Sequence, residues 1–464
     1  MAPVKFYFCS PSPPARFNLM AIKYMKLDVE IVVVDLLNGE QHSPEFLKLN
    51  PQHTIPTIDD NGFILWESRA IATYLVSSKA PGSTLYPTDV KKRALVDNRL
   101  YLDHELQMAF LGMVYPVYRM GAKEVSKSQK EKMYKALGNL NTFLEGQKYV
   151  AGSELTLADL ALLATVVSIQ EMGANVKKFN NITAWLKTLE SVPGAQENLE
   201  GAQLFANFVK SMIDLKQTWE DSVLNRYLQK QDVPVISDNK SLKMAPLKFY
   251  HYRLSPPSRL VLLTIRNLKL DAEIVVVDLL KGEHLAPEFV KVNPQHTVPT
   301  IDDNGFVLWE SRAIATYLVS SKAPGSSLYP TDVKKRAVVD ARLYLDQELQ
   351  IAFGGIAYPI LALGATEMPK DKREKVFKIL GNLNAFLEGQ KYVAGSELTV
   401  ADLALLSTMA GLQASGANLS KFSNVSAWLK SLESVPGAEE NRDGAQFFGN
   451  LIKSKINLTG TWEA

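Results

Sequence analysis

The sequence predicts an α/β layer followed by an all-helical layer, with the whole arrangement built twice. Three observations carry that prediction. Asn50-Pro51-Gln52-His53-Thr54-Ile55-Pro56-Thr57 returns as Asn293-Pro294-Gln295-His296-Thr297-Val298-Pro299-Thr300, and the shift of 243 positions, from 50 to 293, holds for the other landmarks without a gap. Within each copy, short β-branched runs and a hairpin turn fill the stretch before Leu85-Tyr86-Pro87. Beyond it the apolar spacing is helical throughout.

A period this long is the duplication of a whole unit, not a solenoid. The elements of copy one follow in order. Val4 to Cys9 is a short, largely buried strand, and Arg16 to Met25 has helical spacing after a Pro-rich turn. Glu30 to Val34 is a β-branched run expected in a strand buried on both faces. Thr57-Ile58-Asp59 and Phe63-Ile64-Leu65 flank Asp60-Asn61-Gly62, a hairpin signal, and Glu67 to Ser78 is helical. That order describes a small layer with a mixed sheet. The helical part comprises Val90 to Val117, Ser128 to Leu144, Thr156 to Glu171, Asn181 to Ser191 and Gly201 to Ile213. Thr156 and Asp159, with Thr399 and Asp402, have capping-box spacing and read as structural helix starts.

The domain borders follow as 1-82 and 88-220 for copy one, a connector at 221-243, then 244-325 and 331-464 for copy two. Met244-Ala245-Pro246 matches Met1-Ala2-Pro3, as though a start codon had been fused in frame. In the connector, Ser222 to Gln231 suits a short helix, while Pro234, Ser237, Asp238 and Asn239 read as coil. Fully flexible, it would average about 26 Å end to end.

Composition excludes several classes. The 51 basic and 49 acidic residues balance, so no nucleic-acid or membrane surface is expected. No apolar run approaches the roughly 20 residues of a membrane span, and the segment after Met1 makes a poor signal peptide. Cys9 is the only cysteine, which rules out intramolecular disulfides and suits a reducing, cytoplasmic setting. It reads as buried filler, since Tyr252 stands there in copy two.

Three stretches carry chemistry. Ser12-Pro13-Pro14-Ala15-Arg16 opens a helix with a serine cap and prolines in the first turn. That hydroxyl is too weak an acid to serve as a base, but it can donate to an anion held over the helix start, a thiolate above all. In Thr54-Ile55-Pro56-Thr57, a cis Ile-Pro bond would turn the Ile55 backbone toward an extended, peptide-like ligand. An ordinary trans turn fits the residues as well. Trp66-Glu67-Ser68-Arg69 ends the hairpin and starts a helix whose N-terminus favours a carboxylate. Ser68 adds a donor and Glu67 accepts from an ammonium, so an α-amino acid head group satisfies both; a plain cap is the alternative. No zinc signature, Gly-rich phosphate loop or Ser-His-Asp spacing is present.

Taken together, Phe6-Tyr7-Phe8 before Ser12, Asn50 to Thr57, Trp66 to Ile71, Ser83 to Pro87 and Leu155 to Leu162, with their copy-two counterparts, resemble the glutathione S-transferases, most closely the insect-type delta and epsilon classes. The resemblance covers both copies and spares only the connector. It implies a thioredoxin-like N-terminal domain and an all-helical C-terminal domain in each copy, glutathione as co-substrate and no metal. Ser12 and Ser255 would stabilise the glutathione thiolate. His53 and His296 would approach the glycine carboxylate, with Gln41 and His284 beside them. Ile55 and Val298 would pair with the cysteinyl backbone before cis prolines Pro56 and Pro299. Glu67, Ser68 and Arg69, with Glu310, Ser311 and Arg312, would hold the γ-glutamyl end. Asp103 and Asp346 match an acid that supports that site across a dimer interface. Phe110, Tyr115, Tyr118 and Phe205, with Phe353, Tyr358 and Phe448, are the candidates for an acceptor pocket, Leu361 replacing Tyr118 in copy two.

The implied activity is conjugation of the thiolate to small apolar electrophiles. A non-catalytic binding protein for apolar ligands, a structural module, or a glutathione-dependent peroxidase or isomerase would use the same fold. The copies differ at Gln41 against His284, Ser10 against Arg253 and Pro11 against Leu254. Keeping His284, copy two is expected to hold glutathione more tightly. The family's two-fold pairing would be met by the two copies within one chain, or by two chains.

Overall fold

The computed structural model describes residues 2–215 and 246–456, together with Trp219, Leu224 and Trp462. Apart from Leu224, the connector and its expected helix lie outside the described residues. The chain divides into two compact units, Met1–Val235 and Ile236–Ala464.

Copy one begins with β1 (Val4–Phe8), α1 (Pro13–Tyr24) and β2 (Val29–Val33), then α2 (Pro44–Leu49), the hairpin β3 (Thr57–Asp60) and β4 (Phe63–Trp66), and α3 (Ser68–Lys79). The sheet order is β2-β1-β3-β4, with β1 and β2 parallel and the other pairs antiparallel. This is the mixed sheet the pattern predicts. The two-residue turn pairs Asp60 with Phe63, and Asn61 and Gly62 both take positive φ, at 55° and 87°, as a type I′ hairpin requires.

β2 departs from expectation. It is not buried on both faces: Ile31 is 47% and Val33 71% exposed, because β2 forms the edge of the sheet. A β-branched run records strand propensity, and the neighbours decide how much of it is covered.

The helical layer holds α4 (Val90–Met120), α5 (Lys127–Phe143), α6 (Leu157–Glu171), α7 (Asn180–Leu189) and α8 (Ala195–Lys210). Every residue of α6 from Leu157 to Ile169 is buried, as an all-round apolar helix must be. Its capping box is formed, and Asp159 also accepts from the Val150 N–H and the Trp185 indole, at 2.8 and 3.0 Å. α8 starts six residues earlier than its apolar spacing suggests, at Ala195 instead of Gly201, behind the left-handed Gly194.

Copy two repeats the plan with β5 (Leu247–His251), α9 (Pro256–Asn267), β6 (Ala272–Val276), α10 (Pro287–Val292), β7 (Thr300–Asp303), β8 (Phe306–Trp309) and α11 (Ser311–Lys322). Its helical layer is α12 (Val333–Leu363), α13 (Lys370–Phe386), α14 (Val400–Ala414), α15 (Ser423–Ser431) and α16 (Ala438–Lys453). Among the described residues, no helix is long and apolar enough to cross a membrane.

A titratable group enters the core of copy two alone at one of the positions where the copies differ. His251 stands where copy one has Phe8; it is 7% exposed and its Nδ1 has no hydrogen-bond partner. Burial, then the nearby Arg259 and Arg266 charges, lowers its pKa to about 4, against the opposing pull of Glu440. Between pH 6.5 and 4 the unfolded chain therefore binds a proton that the folded chain refuses, so stability falls as the pH falls. The full effect is about 3 kcal/mol. Urea unfolding of the full chain at pH 7.5 and pH 5 should show His251→Phe losing less stability on acidification than the wild type. Equal losses would contradict this account.

Candidate functional site

The site is assembled at one end of each sheet, and a buried arginine places its first part. Arg16 of α1 is 0% exposed. Its Nη1 donates to the carbonyls of Ser10 and Pro11 at 3.0 and 2.8 Å, its Nε to Asn198 Oδ1 at 2.9 Å, and its Nη2 to Ser168 Oγ. Burial lowers its pKa to about 9, so it stays charged at neutral pH, and the oxygens around it replace lost water. Arg259 repeats the device on the carbonyls of Arg253, Leu254 and Ser407 and on Asn441 Oδ1. The loop before each serine is thus pinned to the helical layer.

The layers meet closely because α8 and α16 carry a glycine at this point. A β-carbon at Gly201 would lie 2.3 Å from the Ser10 carbonyl oxygen, and one at Gly444 2.4 Å from that of Arg253. Glycine in a helix interior costs roughly 1 kcal/mol relative to alanine, and here it admits the loop.

Ser12 caps α1 and its Oγ accepts the Ala15 N–H at 3.4 Å; Ser255 Oγ accepts that of Ser258 at 3.3 Å. Pro13 and Pro14, like Pro256 and Pro257, have no N–H. An anion over this helix start therefore meets a hydroxyl donor in place of the usual ring of amides. Burial pushes the neighbouring Cys9 thiol up, which fits filler and not a nucleophile.

The second part is the loop at Asn50. The fully buried Asn50 side chain donates to the Thr54 carbonyl and to the Thr54 and Thr57 hydroxyls at 3.0–3.1 Å, and accepts the Gln52 N–H at 2.9 Å. Asn293 makes the same set. This knot fixes His53 and His296 at positive φ and leads into cis Ile55-Pro56 and Val298-Pro299 bonds.

The two copies build the next corner differently. His284 pairs with His296, ring centroids 6.1 Å apart. In copy one His42 lies over His53, at 4.5 Å, while Gln41 is 5% exposed with its Oε1 unpartnered. Gln41 occupies the same position in the short turn Glu40–His42 that His284 holds in Glu283–Leu285, and the exposed neighbour His42 adds a second imidazole beside His53 in copy one alone.

The third part is the start of α3. Glu67 takes a left-handed φ of 70° and Glu310 one of 69°, outside the comfortable regions for a side chain. Ser68 and Ser311 begin the helices and are buried. Arg69 and Arg312 are engaged within their own copy. Arg69 is 3% exposed, donates to the Leu100 carbonyl at 3.1 Å and pairs with Asp103; Arg312 pairs with Asp346 at 2.5 Å. They position the helix start from behind. Asp103 and Asp346 are nearly inaccessible, and their second oxygens accept from Thr165 and Thr408 of the same copy at 2.7 Å.

The acceptor candidates separate. Phe110 and Phe353 are core, at 0% and 2% exposed, each edge-on to Phe205 or Phe448. Tyr118 meets Phe205 and Tyr115 edge-on, ring centroids 6.0 and 5.4 Å apart. Tyr115 and Tyr358 are 50% and 62% exposed. The motif reading passed over the arginine and asparagine anchors, although a lone charge on the apolar face of α1 was a signal for the first.

The family model described as "Glutathione S-transferase, N-terminal domain" matches residues 2–77 and 245–320, and "Glutathione S-transferase, C-terminal domain" matches 101–193 and 345–436. Glutathione S-transferase D7 of Drosophila melanogaster is 43% identical over 219 residues, 46% of this chain and 97% of that protein. Among solved structures, a Nilaparvata lugens delta-class glutathione transferase is 43% identical, covering 45% of this chain and 100% of that one, with a TM-score of 0.44. A glutathione transferase homolog from Drosophila mojavensis, with bound glutathione, is 38% identical and covers 46% and 99%, with a TM-score of 0.44.

The arginine anchor is open to test. Arg16→Met would orphan the Ser10 and Pro11 carbonyls and the Asn198 amide, at about 1–3 kcal/mol each. Urea unfolding of the full chain should show a loss on the order of 3 kcal/mol or more; a loss below about 1 kcal/mol would contradict the role given to it.

Proposed function

Because the chain belongs to the glutathione S-transferase family, with delta- and epsilon-type relatives, we propose that each copy is a complete transferase unit that adds the glutathione thiolate to apolar electrophiles. The observation that carries this reading is the serine hydroxyl, present in both copies, at a helix start stripped of its first amides. It donates to the sulfur and favours thiolate over thiol. The family provides glutathione as the co-substrate. In this reading the γ-glutamyl head lies at Glu67 and Ser68, or Glu310 and Ser311, where the α-carboxylate meets the helix dipole and the ammonium meets the glutamate. The cysteinyl backbone pairs with Ile55 or Val298. The glycine carboxylate lies near His53 and His42, or His296 and His284.

The sulfur lone pair then attacks the electrophilic carbon. With a chlorinated nitroaromatic, a C–S bond forms, the C–Cl bond breaks, and chloride leaves; the thiol proton has already passed to solvent. The protein supplies position and thiolate population. Each copy, 1-82 with 88-220 and 244-325 with 331-464, works as one such unit. The tandem supplies a pair of units in one chain, since the connector keeps the copies at an effective concentration on the order of mM.

Two outcomes are expected. Ser12→Ala and Ser255→Ala should each leave turnover of a chlorinated nitroaromatic by the other copy. The double variant should fall about 10–100-fold at pH 7, matching a thiol pKa raised by one to two units; full activity in it, or tight binding of apolar dyes without turnover, would overturn the reading. Light scattering should give a particle of 51.5 kDa, and a mass of about twice that would mean that two chains pair.

A further inference from the structure

Copy two contains a cavity of about 800 Å³ at the ends of β5 and β6, bounded by the loop before Ser255 and by α16. Its walls are apolar and aromatic: Tyr252, Leu254, Val276, Leu280, Phe447 and Leu451. One cation stands in it. Arg253 lies with its guanidinium carbon 3.9 Å from the centroid of the Phe447 ring, a contact that holds a long exposed side chain in one place. Copy one has Ser10, Leu204 and Phe208 at the positions of Arg253, Phe447 and Leu451, so both the charge and the ring beneath it belong to copy two alone.

The acid in the same cavity is already engaged. Asp278 accepts the N–H groups of Leu280 and Lys281 at 3.0 and 3.3 Å, and Lys281 Nζ lies 3.6 Å away. Its carboxylate is held by its own loop. His251, which also lines the cavity, is neutral at pH 7 because burial holds its pKa near 4. Among the described residues no carboxylate pairs with Arg253. What remains is a largely apolar slot holding a guanidinium that no carboxylate pairs with, on the loop two residues before Ser255.

We propose that this cavity is the acceptor site of copy two and that Arg253, seated on Phe447, selects aromatic electrophiles bearing a carboxylate or sulfonate, while copy one turns over their uncharged counterparts without that preference. The inference rests on the transferase reading and adds to it a division of substrates between the copies. The reaction balances as before: the C–S bond forms, the C–Cl bond breaks, chloride leaves, and the substrate's carboxylate takes no part in the bond changes.

A chlorodinitrobenzoate and its uncharged carboxamide form the test pair. Each is assayed with Ser12→Ala, in which copy two works, and with Ser255→Ala, in which copy one works. Taking the ratio of kcat/KM for the two substrates cancels the glutathione site common to both assays, and comparing the ratio between copies cancels their intrinsic reactivities. The ratio should favour the benzoate about tenfold more in copy two than in copy one. Adding Arg253→Ser should bring it to the copy-one value, and salt should weaken the preference. Equal ratios in the two copies would overturn the selectivity while leaving the transferase intact; absence of turnover of either substrate would fail the transferase reading itself. Binding of an anilinonaphthalene sulfonate to the full chain decides the anion site in either case. Its Kd should weaken about tenfold in Arg253→Ser, and an unchanged Kd overturns the proposal. If Arg253→Ser slows both substrates equally and raises the pKa of the pH–rate profile, the guanidinium serves the thiolate and the proposal is likewise overturned.

Discussion

A guanidinium with no access to water holds each site together. Arg16 and Arg259 collect the carbonyls of the loop before the serine and the polar groups of two helices from the other layer. A buried charge is tolerated only where its donors are met, and that need makes the contact directional: the loop, α1, α6 and α8 can close in one relation only. Gly201 and Gly444 remove the one atom that would hold the layers apart. The serine then inherits its position from a residue that water does not reach.

Around that anchor the two copies keep one set of parts and vary another. The Asn50 and Asn293 knots, the strained Glu67 and Glu310, and the arginine–aspartate pairs behind them recur in both copies. The differences gather beside the serine and at the histidine corner: Ser10 against Arg253, Leu204 against Phe447, Gln41 and His42 against His284 and Leu285. On the transferase reading, parts that meet a constant tripeptide would have little room to drift, whereas those facing a second substrate could change without disturbing the loop backbone. Duplication in one chain allows such a change in one copy without altering the other.

Much of this was legible in the sequence, for physical reasons. The hairpin was plain because Asn61-Gly62 is one of few pairs that accept two positive φ values in succession. The helix starts at Ser12 and Thr156 were plain because caps are local. What escaped depends on the third dimension. The exposure of Val33 follows from the place of β2 at the sheet edge, and the burial of Phe110 from the helices packed on it. Arg69 and Asp103 carry charges that suggest a surface role, and only the fold reveals that they neutralise one another inside. Spacing also put Gln41 in the histidine's place, and what it did not show is that the next residue, His42, comes to lie against His53.

The central claim is that one chain carries two complete tripeptide sites, each built on its own anchored serine loop. Calorimetric titration of the intact chain with glutathione tests it most directly, because it counts sites without reference to any acceptor. The account predicts two equivalents of glutathione bound per 51.5 kDa chain. A stoichiometry of one or none would contradict it.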